Sequence, residues 1–176
     1  MDIRPVTRSN AGDFRSLFSS NGCPGFCWCT PYRFQDAHEM SRDDKRDAML
    51  KLMEDGTPVG VIAFDGNEPV GWCSVAPRST YKKLERSRTM PVLDEDAWSI
   101  LCVFVRPSHR GQGLTRCLVE GAVAYAHKNG ARVVEAYPWD TAGLSGTGPA
   151  KHWGHSKVYV AAGFQADEGR RWVHRA

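Results

Sequence analysis

Two glycines, Gly111 and Gly113, follow an apolar run that stops at Pro107, and they precede a run with helical periodicity. Glycine lets a backbone take left-handed dihedrals and approach a ligand closely. Successive amides turned the same way form an anion-binding concavity, and a following helix adds the positive end of its dipole. The loop Arg110-Gly111-Gln112-Gly113-Leu114-Thr115 is therefore a candidate pyrophosphate site, with His109 and Arg110 as nearby positive or donor groups. The same pattern also suits a strand–helix turn that binds nothing. It is not a dinucleotide fingerprint, because the glycine spacing differs and no acidic residue closes the following strand. Nor is it a Walker loop, since no Gly-Lys-Ser/Thr follows.

A second group is Cys23, Cys27 and Cys29, with spacing C-x3-C-x-C. Structural zinc sites use paired C-x2-C units and a fourth ligand. No such set is evident, although His38 lies within reach in sequence. The expectation is a packed, thiol-rich loop and no metal. Cys102 lies within the most apolar run, where a core thiol is expected; an acyl-carrying nucleophile is the alternative.

These residues need elements to hold them. Residues 2–7 suit a strand, and Asn10 is placed to cap a helix carrying Phe14, Leu17 and Phe18 on one face. Ser41 followed by Asp44 is a capping signal for a helix with Ala48, Met49, Leu52 and Met53 as its apolar stripe, stopped by Gly56. Val59 to Phe64 and Val70 to Val75 read as strands joined by the turn Asp65-Gly66-Asn67. Residues 76–96 are polar and read as a long connection. The run Trp98 to Val105 is apolar throughout, as a strand buried on both faces would be. Leu114, Cys117, Leu118, Gly121, Ala122 and Tyr125 then recur at helical spacing up to Gly130, and Ala131 to Tyr137 is a further strand. Residues 98–137 thus form a βαβ unit. Residues 138–154 read as a long loop of the kind that is functional or disordered, Ser156 to Ala162 as a short helix, and 164–174 as one or two last strands.

The bulk properties bound the setting. A chain of 176 residues fits one domain over 1–176, large enough for a core without disulfides. The net charge of +3 is mild and interleaved, so a nucleic-acid partner is not expected. The basic stretch Lys82 to Arg88 reads as a solvated loop, or as help in receiving the anionic end of a ligand. The sequence lacks an apolar run long enough for a membrane span and a recognisable signal peptide. A cytoplasmic location with six reduced cysteines is expected.

The run Val103-Phe104-Val105-Arg106-Pro107-Ser108-His109-Arg110-Gly111-Gln112-Gly113-Leu114 resembles the CoA-binding motif of the GNAT superfamily of N-acetyltransferases. Arg110 and Gly113 match that motif; Thr115 stands where the family has Gly or Ala. The order of elements agrees over nearly the whole chain. The resemblance implies an α/β fold: a mixed, mostly antiparallel sheet of six or seven strands flanked by helices, with splayed central strands. It implies acetyl-CoA, or another acyl-CoA, as co-substrate, without a metal. The pantetheine arm would pair with the backbone of Cys102, Val103, Phe104 and Val105, and the pyrophosphate would sit on Arg110, Gly111, Gln112, Gly113, Leu114 and Thr115.

The same resemblance assigns chemistry. Tyr159, four residues before Gly163-Phe164, stands where the family often has a phenol that protonates the leaving thiolate. An ordinary packing tyrosine is the alternative. The amine must also lose a proton, and Glu135, in an otherwise apolar strand, is the first candidate base. His152, His155 and the run Asp94-Glu95-Asp96 are the others. In such enzymes the segment between the first two helices lines the acceptor pocket, which implicates Phe26, Trp28 and Tyr32, with His152 from the later loop. The expected reaction is direct attack of a small-molecule amine on the thioester. The same fold with a carrier-protein or aminoacyl-tRNA donor, or as a CoA-sensing domain without chemistry, are the competing readings. A homodimer is compatible with any of them.

Overall fold

In the computed structural model, residues 1–20, 22–139 and 152–176 are described. Their strands are β1 (Asp2–Pro5), β2 (Val61–Asp65), β3 (Glu68–Pro77), β4 (Trp98–Val105), β5 (Val133–Ala136), β6 (Gln165–Ala166) and β7 (Trp172–Arg175). The helices are α1 (Ala11–Ser19), α2 (Arg42–Glu54), α3 (Leu114–Lys128) and α4 (Ser156–Ala161). The strands form one seven-stranded sheet in the order β1-β2-β3-β4-β5-β7-β6. Within it β4 and β5 pair in parallel, and the other neighbours pair antiparallel. The mixed, mostly antiparallel sheet expected from the sequence is therefore present.

Each face of the sheet has its own core. On one face Val103, Val105 and Ile100 pack with Leu118, Ala122 and Ala126 of α3. Gly121 lets α3 lie close to β1, because a Cβ there would fall 2.5 Å from Ile3 Cγ2. On the other face Phe14, Leu17 and Phe18 of α1 and Met49 and Met53 of α2 enclose Trp72. The α2 cap forms as its sequence indicates, with Ser41 Oγ accepting from the Asp44 amide at 3.1 Å. Asn10 does not cap α1. Its side chain turns back, accepting from the Thr7 amide at 2.7 Å and donating to the Pro5 carbonyl at 2.9 Å.

The central strand carries the feature that matters most for the site. Its pairing with β3 shifts register between Ser74 and Val75, which face Cys102 and Ile100 and leave Leu101 as the extra residue. A bulge of this kind inverts the alternation of side chains. Trp98 and Ile100 before it, and Val103 and Val105 after it, all face α3. Leu101 and Cys102 are thereby turned together toward the opposite side. The β4–β5 ladder covers only Trp98 to Ile100, opposite Val134 to Ala136. Beyond Ile100 the two strands part, and that edge of β4 has no strand partner among the described residues.

The connection between β3 and β4 is more than a solvated loop. Tyr81, Leu84 and Met90 are buried and join Ala76, Leu101, Tyr137 and Trp153 in a third apolar cluster. Arg78 anchors the connection, donating to the carbonyls of Leu84 at 3.3 Å and Met90 at 2.5 Å. Glu135 of β5 holds Arg78 in turn.

Candidate functional site

The gap opened by the parting of β4 from β5 is a cavity of about 510 Å3. Val103, Phe104 and Val105 form one side, and Trp139, Gly154 and Val158 face them. Arg110 and Thr115 stand at the end where α3 begins. Gly111 and Gly113 adopt φ values of 76° and 78°, dihedrals that favour glycine. A Cβ at either would meet only open space, so conformation, not crowding, calls for glycine there. The amides of Gly111, Gln112, Gly113, Leu114 and Thr115 find no backbone acceptor among the described residues. Gly113 gives α3 no side-chain cap. Unpaired amides at a helix start, beside an arginine, suit a diphosphate. Arg110 is fixed there by donating from Nε to the Val105 carbonyl at 3.0 Å. The Leu114 side chain points into the core, so only its backbone is available.

A second cavity, about 310 Å3, lies on the far side of the bulge. Leu101 and Cys102 of β4 form part of it, with Tyr32, Tyr81, Ser74 and Trp153 around them. Phe26 and His152 line both cavities and mark where they meet. A thioester lying along β4 and an amine in the smaller cavity would meet there.

The expected site residues divide accordingly. Phe26, Tyr32 and His152 come together around the smaller cavity, and Cys102 joins them there instead of lining the β4–β5 gap. Trp28 does not face it. Its ring stacks on Phe18 at 5.4 Å between centroids and is buried under α1. Trp28 and Cys29 both have left-handed backbones, with φ of 47° and 57°, a strained pairing for bulky residues. The turn sends Trp28 into the core and Cys29 toward the sheet, where its Sγ accepts from Trp72 Nε1 of β3 at 3.0 Å. A hydrogen bond with Cys102, together with burial, holds the Cys29 thiol well above its ordinary pKa. A hydrogen bond with Cys29, followed by burial, raises Cys27 likewise. A protonated thiol is a poor nucleophile. Among the described residues, no group of three or more His, Cys, Asp or Glu side chains gathers in a metal-binding arrangement.

Glu135 needs correction as the first candidate base. Its Oε1 accepts from Arg78 Nη1 at 2.5 Å and Ser99 Oγ at 2.6 Å, and its Oε2 accepts from Arg171 Nε at 2.7 Å. It lines neither cavity, and three buried donors, two guanidinium groups and the Ser99 hydroxyl, already bond its carboxylate. Arg171 also holds Asp94 at 2.5 Å and Asp167 at 2.6 Å, which removes Asp94 from the candidates as well. Glu95 and Asp96 line a separate hollow beside Trp98 and Arg132. His155 lines the larger cavity, but its Nδ1 accepts from the Lys157 amide at 3.1 Å as the cap of α4. His152 is the remaining candidate that reaches the meeting point.

Tyr159 is fully buried, and its hydroxyl donates to the Trp153 carbonyl at 2.6 Å. Burial raises its pKa well above 10, with smaller contributions from Cys73 and Cys102. The ring lies directly behind Gly154, whose missing Cβ would stand 3.1 Å from it. Gly154 itself lines the larger cavity. The phenol is thus one glycine away from the β4–β5 gap.

Several site residues escaped the sequence reading. Ser74 lay within an apolar strand, and Tyr81 within a run read as solvated connection. The i, i+3 pair Tyr81 and Leu84 was the available sign that this connection packs. Residues 140–151 of the predicted long loop lie outside the described residues.

The pattern of the Acetyltransferase (GNAT) family matches residues 24–142. No curated protein sequence matches the chain. Solved structures of similar fold include the ribosomal-protein-alanine N-acetyltransferase from Brucella melitensis, 16% identical, with 100% of each chain covered and a TM-score of 0.54. Another is the aminoglycoside antibiotic 6'-N-acetyltransferase of Acinetobacter haemolyticus, 15% identical, covering 96% of this chain and 93% of that one, TM-score 0.54. A third is the GNAT family N-acetyltransferase YhbS of Escherichia coli in complex with CoA, 19% identical, covering 99% and 80%, TM-score 0.53. At these identities the likeness is one of fold.

Proposed function

The chain belongs to the acetyltransferase (GNAT) family and is an acyltransferase; from that premise we propose that it moves an acetyl group from acetyl-CoA to the amine of a small molecule. The observation that carries this reading is the meeting of two cavities at Phe26 and His152, on the two sides of the β4 bulge. The larger cavity ends at the unpaired amides around Gly113, which suits a diphosphate, and runs along the free edge of β4, which suits an extended amide-bearing arm. The smaller cavity suits an acceptor.

In this reading the chain's residues have distinct tasks. Arg110 and the amides from Gly111 to Thr115 hold the diphosphate. The free backbone of β4 orients the thioester. His152 takes the proton released as the amine becomes an amide. Tyr159 turns its O–H about the Cζ–O bond, from the Trp153 carbonyl toward the thiolate, without moving its ring. A thiol has an ordinary pKa near 8.5. A phenol held well above 10 therefore stabilises the thiolate as a hydrogen-bond donor and keeps its own proton. A cytoplasmic location fits six cysteines that are all free thiols.

The test is acetyl-CoA-dependent thiol release across a panel of amines, with His152→Gln beside the parent chain. Wild-type turnover on an amine, with a loss of about 10²-fold or more in kcat for the variant, supports the reading. No release with any amine, together with no thermal shift by acetyl-CoA, would sink it.

A further inference from the structure

The smaller cavity is built over a buried cation that has no counter-charge among the described residues. Arg33 is 2% exposed, yet no carboxylate lies within ion-pair distance of it among the described residues. Its Nη2 donates to the Val59 carbonyl at 2.7 Å, Ser74 Oγ at 3.3 Å and Tyr81 Oη at 3.2 Å, and its plane lies 4.4 Å over the Tyr81 ring. Its Nε is buried without a partner. The other buried arginines, Arg78 and Arg171, are both paired with carboxylates. A buried charge is tolerated when an opposite charge or strong acceptors complete it.

Hydroxyl accounting points the same way. Ser74 and Tyr81 both accept from Arg33, and they share one hydrogen bond at 3.0 Å. Whichever of them donates to the other, one O–H is left with no acceptor among the described residues. Both residues are about 1% exposed, and both line the cavity. One free donor, backed by a guanidinium, therefore faces the acceptor space. No acidic residue is among the described residues lining it. Arg170, 5.3 Å over the Trp153 ring, adds a second positive charge beyond that wall. Apart from His152 and the thiols of Cys27, Cys29 and Cys102, the other walls are mainly apolar, from Phe26, Pro31, Leu101 and the rings of Tyr32 and Trp153.

We infer that the acceptor is an amino acid with a large apolar side chain, its carboxylate received by the free hydroxyl of the Ser74–Tyr81 pair over Arg33. This rests on the acyl-transfer reading and narrows it. A polycationic amine would bring like charge against Arg33 and leave the free hydroxyl unmatched, so it is the wrong class for this cavity.

The experiment is titration calorimetry of the full chain in the presence of CoA. The ligands are phenylalanine and leucine, their decarboxylated partners phenethylamine and isoamylamine, and spermidine. The carboxylate-bearing member of a pair should bind at least about tenfold more tightly, a difference in line with a charge-assisted hydrogen bond. In the double variant Ser74→Ala/Tyr81→Phe, which keeps Arg33 and its bond to the Val59 carbonyl, that ratio should fall toward one. Equal binding within both pairs, tighter binding of spermidine, or no binding of either amino acid overturns the inference. The acetyl-CoA thermal shift, read on the same samples, reports the donor site separately. Its loss in the parent chain would count against acyl transfer itself, whereas its retention with any of the adverse results would count against the acceptor class alone.

Discussion

Arg78 and Glu135 meet at 2.5 Å with both side chains buried, one from the β3–β4 connection and one from β5. This contact fastens the connection that carries Tyr81 to the strand that parts from β4. It therefore helps set the walls of the smaller cavity without taking part in it. The consequence for Glu135→Ala is structural. Arg78 would lose its carboxylate in a buried site, while Arg171 would keep Asp94 and Asp167. Removing one member of a buried pair typically costs about 3–5 kcal/mol. Urea unfolding should show a loss of that size. A variant of unchanged stability but lowered kcat would return Glu135 to the chemistry.

Gly113→Asp should remove the thermal stabilisation by acetyl-CoA. Its φ of 78° disfavours any side chain, and a carboxylate at the start of α3 would repel a diphosphate. The parent chain should gain about 2.7 kcal/mol at a ligand concentration of 100 Kd. Thermal melts with and without acetyl-CoA check both halves. Equal shifts in the two proteins would place the diphosphate elsewhere.

Tyr159→Phe should lower kcat by about 10²-fold while leaving the acetyl-CoA shift in place, because the hydroxyl donates to the thiolate only as the thioester breaks. It also leaves the Trp153 carbonyl without its donor, at a cost of about 1–3 kcal/mol. Steady-state kinetics per folded molecule separates the two effects. Lost stability with unchanged kcat would make Tyr159 a packing residue.

A pH dependence of stability should come from His174. Its ring packs on His127, with Nδ1 and Nε2 3.0 Å apart, and His127 Nδ1 lies 2.7 Å from the Ala131 carbonyl. Burial first, then the neighbouring His127, lowers the His174 pKa below its ordinary 6.5. As pH falls below about 6.5 the unfolded chain takes up the proton first. The contribution to stability is therefore complete above that pH and is lost as pH falls through the lowered folded value. Melting temperatures between pH 7.5 and 5 should decline, and His174→Gln should flatten that decline. An unchanged slope in the variant would assign it to other groups.

Local patterns in the chain fixed its elements and donor loop. The apolar run from Trp98 to Val105, the glycines after it and the helical spacing from Leu114 onward are short-range facts, and short-range facts determine strands, turns and caps. The match at Arg110 and Gly113 carried the family for the same reason. The smaller cavity, the proposed acceptor site, was decided by tertiary structure, because its parts are far apart in sequence. Arg33, Ser74, Tyr81 and Leu101 are brought together only by the β4 bulge and by the packing of the β3–β4 connection. The bulge is a register shift between two strands, and neither strand records it alone. Glu135 illustrates the limit most clearly. A carboxylate in an apolar strand signals burial, but whether burial leaves it a free base or an ion-pair partner depends on Arg78 and Arg171, which lie 57 and 36 residues away.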